Sequence, residues 1–303
     1  MKTLVVLLGP TGVGKTELSL SLAEFLECPI LNCDSRQLFS GMEIGTAAPT
    51  AGQLQRVRHY FVGTLQLEQY YSAAQYENDA LLLTQELFRT HDTLLLSGGS
   101  MMYLDAVCKG IDDIPTISEE VRSEVKAQLK EKGLIALTEK LQKLDPEYFA
   151  IVDKKNTRRV VHALEVCMMS GKTYTSFRTN NRKQRPFRIL KIGLDRPREE
   201  LFSRINARVD QMMADGLLEE VRHLLPYRHC NALNTVGYKE LFRVIDGEWP
   251  LDMAVERIKK NTRVYAKKQL TWFRRDDSIS WFHPDDLEPI IQFLKISLHH
   301  EDI

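Results

Sequence analysis

The sequence predicts an α/β protein: a parallel sheet core flanked by helices, with a mainly helical insertion domain. Three observations lead there. The run Gly9-Pro10-Thr11-Gly12-Val13-Gly14-Lys15-Thr16 fits G-x-x-x-x-G-K-[ST] and joins an apolar segment to a helical one. Short apolar runs then alternate with helical periodicities, as parallel strands joined by crossover helices require. After Asp112-Asp113-Ile114-Pro115 the pattern becomes purely helical to about Gly171, and a strand returns only at Phe187 to Leu194.

Each element has a local reason. Leu4 to Leu8 is apolar without interruption, which suits a strand covered on both faces. It is too short for a signal-peptide core, and only Lys2 precedes it. Thr16 to Phe25 has the apolar spacing of a buried helix, and Ala73 to Phe88 that of a second. Pro29 to Asn32 and Thr93 to Leu96 read as further strands. Ser118-Glu119-Glu120 starts a helix with acids in its first turn, where the helix dipole favours them. Pro197 sits at a first helical position and opens another amphipathic helix. The order gives a core domain from 1–112 and 188–303 and a helical insertion at 113–187. No internal repeat or low-complexity segment is present.

Composition narrows the class. The 303 residues are 43% hydrophobic and 27% charged, with 41 basic and 41 acidic side chains. No apolar run approaches membrane-spanning length, so no membrane partner is expected. The five cysteines (Cys28, Cys33, Cys108, Cys167, Cys230) are odd in number and lack a C-x-x-C pair, which reads as a reducing, cytoplasmic setting without structural zinc. Zero net charge hides an asymmetry. The first 113 residues are acidic, whereas Lys154 to Lys191 carries Lys154, Lys155, Arg158, Arg159, Lys172, Arg178, Arg182, Lys183, Arg185, Arg188 and Lys191 against Glu165 alone. A second basic stretch, Arg257 to Arg275, interleaves cations with Tyr265, Trp272 and Phe273. Either stretch alone fits a solvated face. Together they favour a polyanion, and the aromatics suit RNA.

The Gly9 to Thr16 loop points to a chain of phosphates. Gly9, Pro10, Thr11, Gly12, Val13 and Gly14 let backbone N–H groups converge on phosphate oxygens, Lys15 supplies charge, and the Thr16 hydroxyl can ligate Mg2+. A nucleotide hydrolase would end a strand in Asp or Glu to support the metal. Thr93 to Leu96 instead runs into Ser97-Gly98-Gly99-Ser100, with no carboxylate. An acid ends the second strand, in Cys33-Asp34-Ser35-Arg36-Gln37, at the edge where parallel sheets bind ligands. Asp34 is therefore the general-base candidate, although an Asp capping a turn has the same signature. Arg204 and Arg208 share a helical face, with Arg204 able to bridge Glu200.

With these motifs in order, the chain resembles the bacterial tRNA dimethylallyltransferases, whose core is P-loop NTPase-like. The resemblance rests on Gly9 to Thr16, Asp34-Ser35-Arg36-Gln37-Leu38-Phe39, Gly41 to Ala47 and Gly98 to Tyr103. Further on it rests on Arg204 to Met212, Val236-Gly237-Tyr238-Lys239-Glu240 and Thr262 to Arg274. It implies transfer of a dimethylallyl group from dimethylallyl diphosphate to N6 of the adenosine at tRNA position 37, next to the anticodon, with Mg2+ as cofactor. It also implies roles. Asp34 would accept the N6 proton; Thr11, Lys15 and Thr16 would hold diphosphate and metal; Arg208 would close over them. Asp34, Ser35, Arg36 and Gln37 would meet the flipped base, Ser100 would act near the RNA or diphosphate, and Arg122, Asn156, Thr157, Arg158, Arg159 and Val160 would contact the tRNA anticodon stem-loop. Arg122 fits a solvated helix residue equally well. A monomer is expected.

Departures from the family pattern are local. Gly12-Val13 stands for Ala-Ser, Ser100 for Thr, Arg58-His59-Tyr60-Phe61 for Pro-His-His-Leu, Asp153 to Asn156 for His-Pro-Asn-Asp, and His162 for Arg. These touch RNA contacts more than chemistry. The loop also fits two other functions: a small-molecule kinase with Asp34 as base, and a non-catalytic RNA-binding ATPase.

Overall fold

The protein is described by a computed structural model covering residues 1–179 and 182–299. Contacts divide it into two units, one made of residues before Lys109 and after Gln184, the other of Lys109–Gln184. The insertion thus starts at Lys109 rather than 113 and ends at Gln184 rather than 187. Arg185, the first residue of the returning core segment, is bonded within that unit, to Glu77 and to the Val107 carbonyl.

The core unit begins with β1 (Thr3–Leu8), α1 (Lys15–Phe25), β2 (Ile30–Cys33), the one-turn α2 (Glu43–Thr46), α3 (Ala51–Arg56), β3 (His59–Tyr60), α4 (Ala73–Leu87), β4 (Thr93–Gly98) and α5 (Met101–Lys109). The insertion holds α6 (Glu119–Leu144, interrupted at Gly133), α7 (Pro146–Ile151), α8 (Thr157–Ser170) and α9 (Tyr174–Phe177). The core resumes with β5 (Arg188–Leu194), α10 (Arg198–Ala214), α11 (Leu217–His223), α12 (Tyr238–Ile245), α13 (Leu251–Phe273), β6 (Ile279–Phe282) and α14 (Leu287–His299).

The sheet has the order β3-β2-β4-β1-β5-β6, and every pairing is parallel. β1 lies with β4 in the middle of the sheet, and all six of its residues are buried. Its alternation sorts them: Leu4, Val6 and Leu8 enter one apolar core, Val5 and Leu7 the other. β4 repeats the pattern, with Leu94 and Leu96 on the first side and Leu95 on the second. Helices therefore cover both faces, and every strand ends at the same sheet edge. At that edge Gly98 lies so close to the end of β2 that a Cβ would stand 2.1 Å from the Cys33 carbonyl oxygen. A side chain at Gly98 has no room, and Ser97 before it offers a hydroxyl where a hydrolase would carry its strand-end acid.

Among the described residues the insertion contains no strand. Its helices start where short polar side chains cap them. Ser118 Oγ accepts from Val121 N at 3.4 Å, Asp145 Oδ1 from Tyr148 N at 3.0 Å, and Asn156 Oδ1 from Arg159 N at 3.3 Å. Asp145 is buried and also accepts from Thr175 N at 2.7 Å, which ties α7 to α9. Val125, Leu137, Leu141, Tyr148, Val152, Val160, Ala163 and Leu164 form this unit's own core.

Two ion pairs bear on the basic stretches. Arg185 and Glu77 are both nearly fully buried; Arg185 Nη2 donates to Glu77 at 2.7 Å, and its Nε donates to Val107 O at 2.8 Å. Lys191 Nζ donates to Asp276 at 2.7 Å, each side chain 11% exposed. Burial raises the Asp276 carboxyl, but hydrogen bonds from Lys191 and Ser278 and the Lys191 charge outweigh it and hold it well below the usual carboxylate range.

Glu77→Ala should lower the unfolding free energy by about 3 kcal/mol or more, because it leaves Arg185 charged and buried. An unchanged urea midpoint would contradict this. Asp276 stabilises the fold above its unfolded pKa of about 4, and that contribution disappears as pH falls through the lower folded value. Between about pH 4 and pH 2 the wild type should therefore lose thermal midpoint faster than Asp276→Asn. Parallel profiles for the two would show that the pair contributes nothing.

Candidate active site

Loops at the carboxyl edge of the sheet line one cavity of about 760 Å³. β1 delivers Thr11, Gly12, Gly14, Lys15 and Thr16, β2 delivers Asp34 and Gln37, and β4 delivers Gly99. Arg196 follows β5, and Pro284 and Asp285 follow β6. From α10 come Arg204 and Arg208, and from α13 come Tyr265 and Gln269. The phosphate loop and Asp34, separate in sequence, thus meet because β1 and β2 flank β4 and end at the same sheet edge.

The loop itself is held from three directions. Gly9, Pro10 and Val13 are buried beneath it, while Thr16 is exposed at the start of α1. Gly12 has φ 81°, and a Cβ there would lie 2.7 Å from Ile205 Cγ1. Lys15 Nζ donates to Gly9 O at 2.9 Å and Pro10 O at 2.8 Å. Gln269 is buried; its Oε1 accepts from Thr11 N at 2.9 Å and its Nε2 donates to Gly99 O at 2.8 Å, which pins the β1 loop to the β4 loop. Arg196 Nε donates to Val13 O at 2.8 Å, and its Nη atoms are taken by Glu200 and Asp285. Arg204 Nε donates to Gly12 O at 3.2 Å. It is Arg196, not Arg204, that bridges Glu200, because Arg196 is the buried one of the two.

Electrostatics single out two cations. Burial lowers the Lys15 pKa to about 7, the neighbouring Arg208 lowers it too, and Asp34 opposes both. Desolvation also depresses Arg208, with Asp34 again the opposing charge. Arg208 Nη2 donates to Thr46 O at 3.4 Å. Two cations crowded beside one carboxylate favour an anionic ligand that touches both.

The Asp34 loop is a bonded turn. Asp34 Oδ1 accepts from Arg36 N at 2.9 Å, so the carboxylate both lines the cavity and shapes its own turn. Ser100 Oγ accepts from Ser35 N at 2.8 Å, and Gln37 Nε2 donates to Thr46 O at 3.1 Å and Ala47 O at 3.0 Å. Arg36 Nη1 donates to Asn231 O at 2.9 Å.

In the insertion, Arg158 and Arg159 are exposed in the first turn of α8 and Thr157 is partly so. Val160, by contrast, is fully buried in that unit's core, so its side chain serves packing. Asn156 spends its carboxamide oxygen on the α8 cap, and Arg122 Nε donates to Ile117 O at 3.4 Å. The basic stretches also divide. Arg185, Arg188 and Lys191 are bound within the core unit, Arg188 Nη1 donating to Ser297 O at 2.6 Å. Phe273 is buried and Trp272 Nε1 donates to Asp105 at 2.8 Å, which leaves Tyr265 as the aromatic facing the cavity. Arg196 and the role of Gln269 are not legible from motifs. A signal for Gln269 exists in its spacing, since it falls three residues after Ala266 and four before Phe273, on the buried face of α13.

Residues 37–276 match the IPP transferase family. The chain is 61% identical over 298 residues to tRNA dimethylallyltransferase 1 of Phocaeicola vulgatus, covering 98% of this chain and 99% of that one. To tRNA dimethylallyltransferase 1 of Bacteroides thetaiotaomicron it is 60% identical over 296 residues, covering 98% and 96%. The crystal structure of the full-length tRNA isopentenylpyrophosphate transferase from Bacillus halodurans aligns with a TM-score of 0.72 at 34% identity, covering 98% and 97%. A eukaryotic dimethylallyltransferase acting on tRNA shares the fold, with a TM-score of 0.81 at 23% identity, covering 98% of this chain and 79% of that one. With the family match spanning most of the sequence and full-length relatives above half identity, the chain belongs to the IPP transferase family, enzymes of the prenyltransferase class.

Proposed function

We propose that the protein transfers a dimethylallyl group from dimethylallyl diphosphate to N6 of the adenosine next to the tRNA anticodon, releasing diphosphate. The observation that carries this is the crowding of Lys15 and Arg208 around the phosphate loop, with Asp34 on the same cavity. In the reaction the donor's carbon–oxygen bond breaks, a carbon–nitrogen bond forms, and Asp34 takes the proton that N6 loses. Lys15, Arg208 and the N–H groups at the start of α1 stabilise the negative charge that develops on the departing diphosphate, more strongly in the transition state than before it.

Mg2+ is the proposed cofactor. The exposed Thr16 hydroxyl at the cavity is an oxygen donor of the kind hard cations take, and it fits the ion. Bound there, Mg2+ would neutralise diphosphate charge. Gln37, Arg36, Ser35 and Ser100 surround Asp34 with hydrogen-bonding groups suited to a base taken out of its stack, and Tyr265 offers a ring face. Exposed Arg158 and Arg159, with Arg122, Asn156 and Thr157, are proposed to meet the RNA. The ATPase reading is disfavoured because β4 ends in Ser97 and Gly98 with no acid, and the kinase reading because exposed cations such as Arg158 and Arg159 suit a polyanion rather than a small substrate. A monomeric cytosolic enzyme belongs to the same proposal. All five cysteines are free thiols, and no helix among the described residues is long and apolar enough to cross a membrane.

The test is incubation with unmodified tRNA, Mg2+ and labelled dimethylallyl diphosphate, beside a parallel reaction with labelled ATP. Label should enter RNA from the first donor only; label from ATP alone would refute the proposal. Asp34→Ala should reduce turnover by at least about a hundredfold while tRNA binding persists. Near wild-type turnover would remove Asp34 from its role. Affinity for tRNA should fall steeply with salt, and replacing Arg158 and Arg159 with Gln should lower the log–log slope by about one to two. An unchanged slope would take these two residues off the RNA surface.

A further inference from the structure

The segment that carries Thr46 is held from behind by two groups with no part in the chemistry above. Glu220, on α11, is partly buried and accepts three hydrogen bonds: from Ile44 N at 2.7 Å, from Gly45 N at 2.9 Å and from the Tyr238 hydroxyl at 2.7 Å. Ile44 and Gly45 lie in the single turn of α2, whose leading N–H groups have no acceptor within so short a helix. Tyr238 is fully buried, and its hydroxyl also lies 3.3 Å from Met42 O. Burial and the adjoining Glu220 keep the phenol protonated, so it remains a donor to the carboxylate.

At the far end of the same turn, the Thr46 carbonyl receives Gln37 Nε2 at 3.1 Å and Arg208 Nη2 at 3.4 Å. One turn of helix thus connects the Glu220 carboxylate to the two cavity groups that the carbonyl orients. An unanchored turn this short has little stability of its own, because nucleation is unfavourable. Arg208 is repelled by Lys15 and drawn to Asp34, and the Thr46 carbonyl is the backbone anchor that fixes where its charge sits.

We propose that Glu220, with Tyr238, is a positioning residue that sets the diphosphate-binding arginine through the α2 turn. The inference rests on the proposed function and adds to it a control point outside the cavity: neither Glu220 nor Tyr238 lines it. Glu220→Gln replaces one acceptor oxygen with an amide that meets donors face to face, so the turn loosens while the residue's volume is kept.

The probe is inorganic diphosphate, measured by calorimetry with Mg2+ present on the full chain. Glu220→Gln should weaken binding about tenfold, yet less than about twofold in an Arg208→Ala background, because the effect passes through Arg208. Should the Gln variant fail to fold, Tyr238→Phe decides, with about a threefold loss that Arg208→Ala likewise abolishes. An equal loss in both backgrounds, or wild-type affinity, overturns the proposal and leaves the pair a purely structural brace. Diphosphate that does not bind the wild type would instead overturn the proposed function.

Discussion

Lys15 and Arg208 share one cavity with Asp34, the carboxylate whose charge opposes the depression of both, and much of the core unit exists to keep them there. Bringing two cations together out of water is unfavourable, and a chain free to relax would separate them. The parallel sheet prevents it. β1 fixes Lys15, β2 fixes Asp34, and α10 packs Leu201, Ile205 and Val209 inward so that Arg208 projects toward the loop. An anionic ligand that relieved the repulsion would be bound most strongly when its own charge is greatest, which is the condition of the leaving diphosphate in the proposed reaction.

Around that arrangement runs a frame of buried hydrogen bonds. Gln269 joins the β1 and β4 loops, Arg196 holds Val13 and is neutralised by Glu200 and Asp285, and Ser100 holds the turn after Asp34. Each acts on backbone atoms rather than on side chains of the cavity. These bonds fix the loops that carry the cavity residues before any ligand arrives, as preorganised electrostatics requires. Glu200, His283 and Asp285 come close enough to suggest a metal site, but Arg196 lies among them and supplies the positive charge.

The parts legible in the sequence are those whose meaning is local. The phosphate loop carries its own glycines, lysine and hydroxyl within eight residues, and Asp34 is marked by the end of an apolar strand. The parallel sheet is readable because strands covered on both faces are apolar throughout. What depends on distant partners is not. Gln269 acts on Thr11 across 258 positions, and Arg196 acts on Val13 across 183. Charge runs mislead for the same reason: a run records how many cations a segment has, not which way they face. Arg185 turns inward to Glu77, Lys191 pairs with Asp276, and Phe273 packs in the core. Val160 follows Arg158 and Arg159 directly, yet helical rotation carries it into the insertion's interior.

Which bond breaks decides what the cavity is for. A phosphate loop ordinarily serves cleavage at phosphorus; in the proposed reaction the same cradle holds a leaving group whose carbon–oxygen bond is cut. Dimethylallyl diphosphate carrying heavy oxygen at the bridging position, incubated with tRNA and the enzyme, distinguishes the two by mass spectrometry of the products. Carbon–oxygen cleavage sends all the heavy oxygen into the released diphosphate and none into the modified RNA. Heavy oxygen retained with the five-carbon group would mean cleavage at phosphorus, and would contradict the proposed roles of Lys15, Arg208 and Asp34.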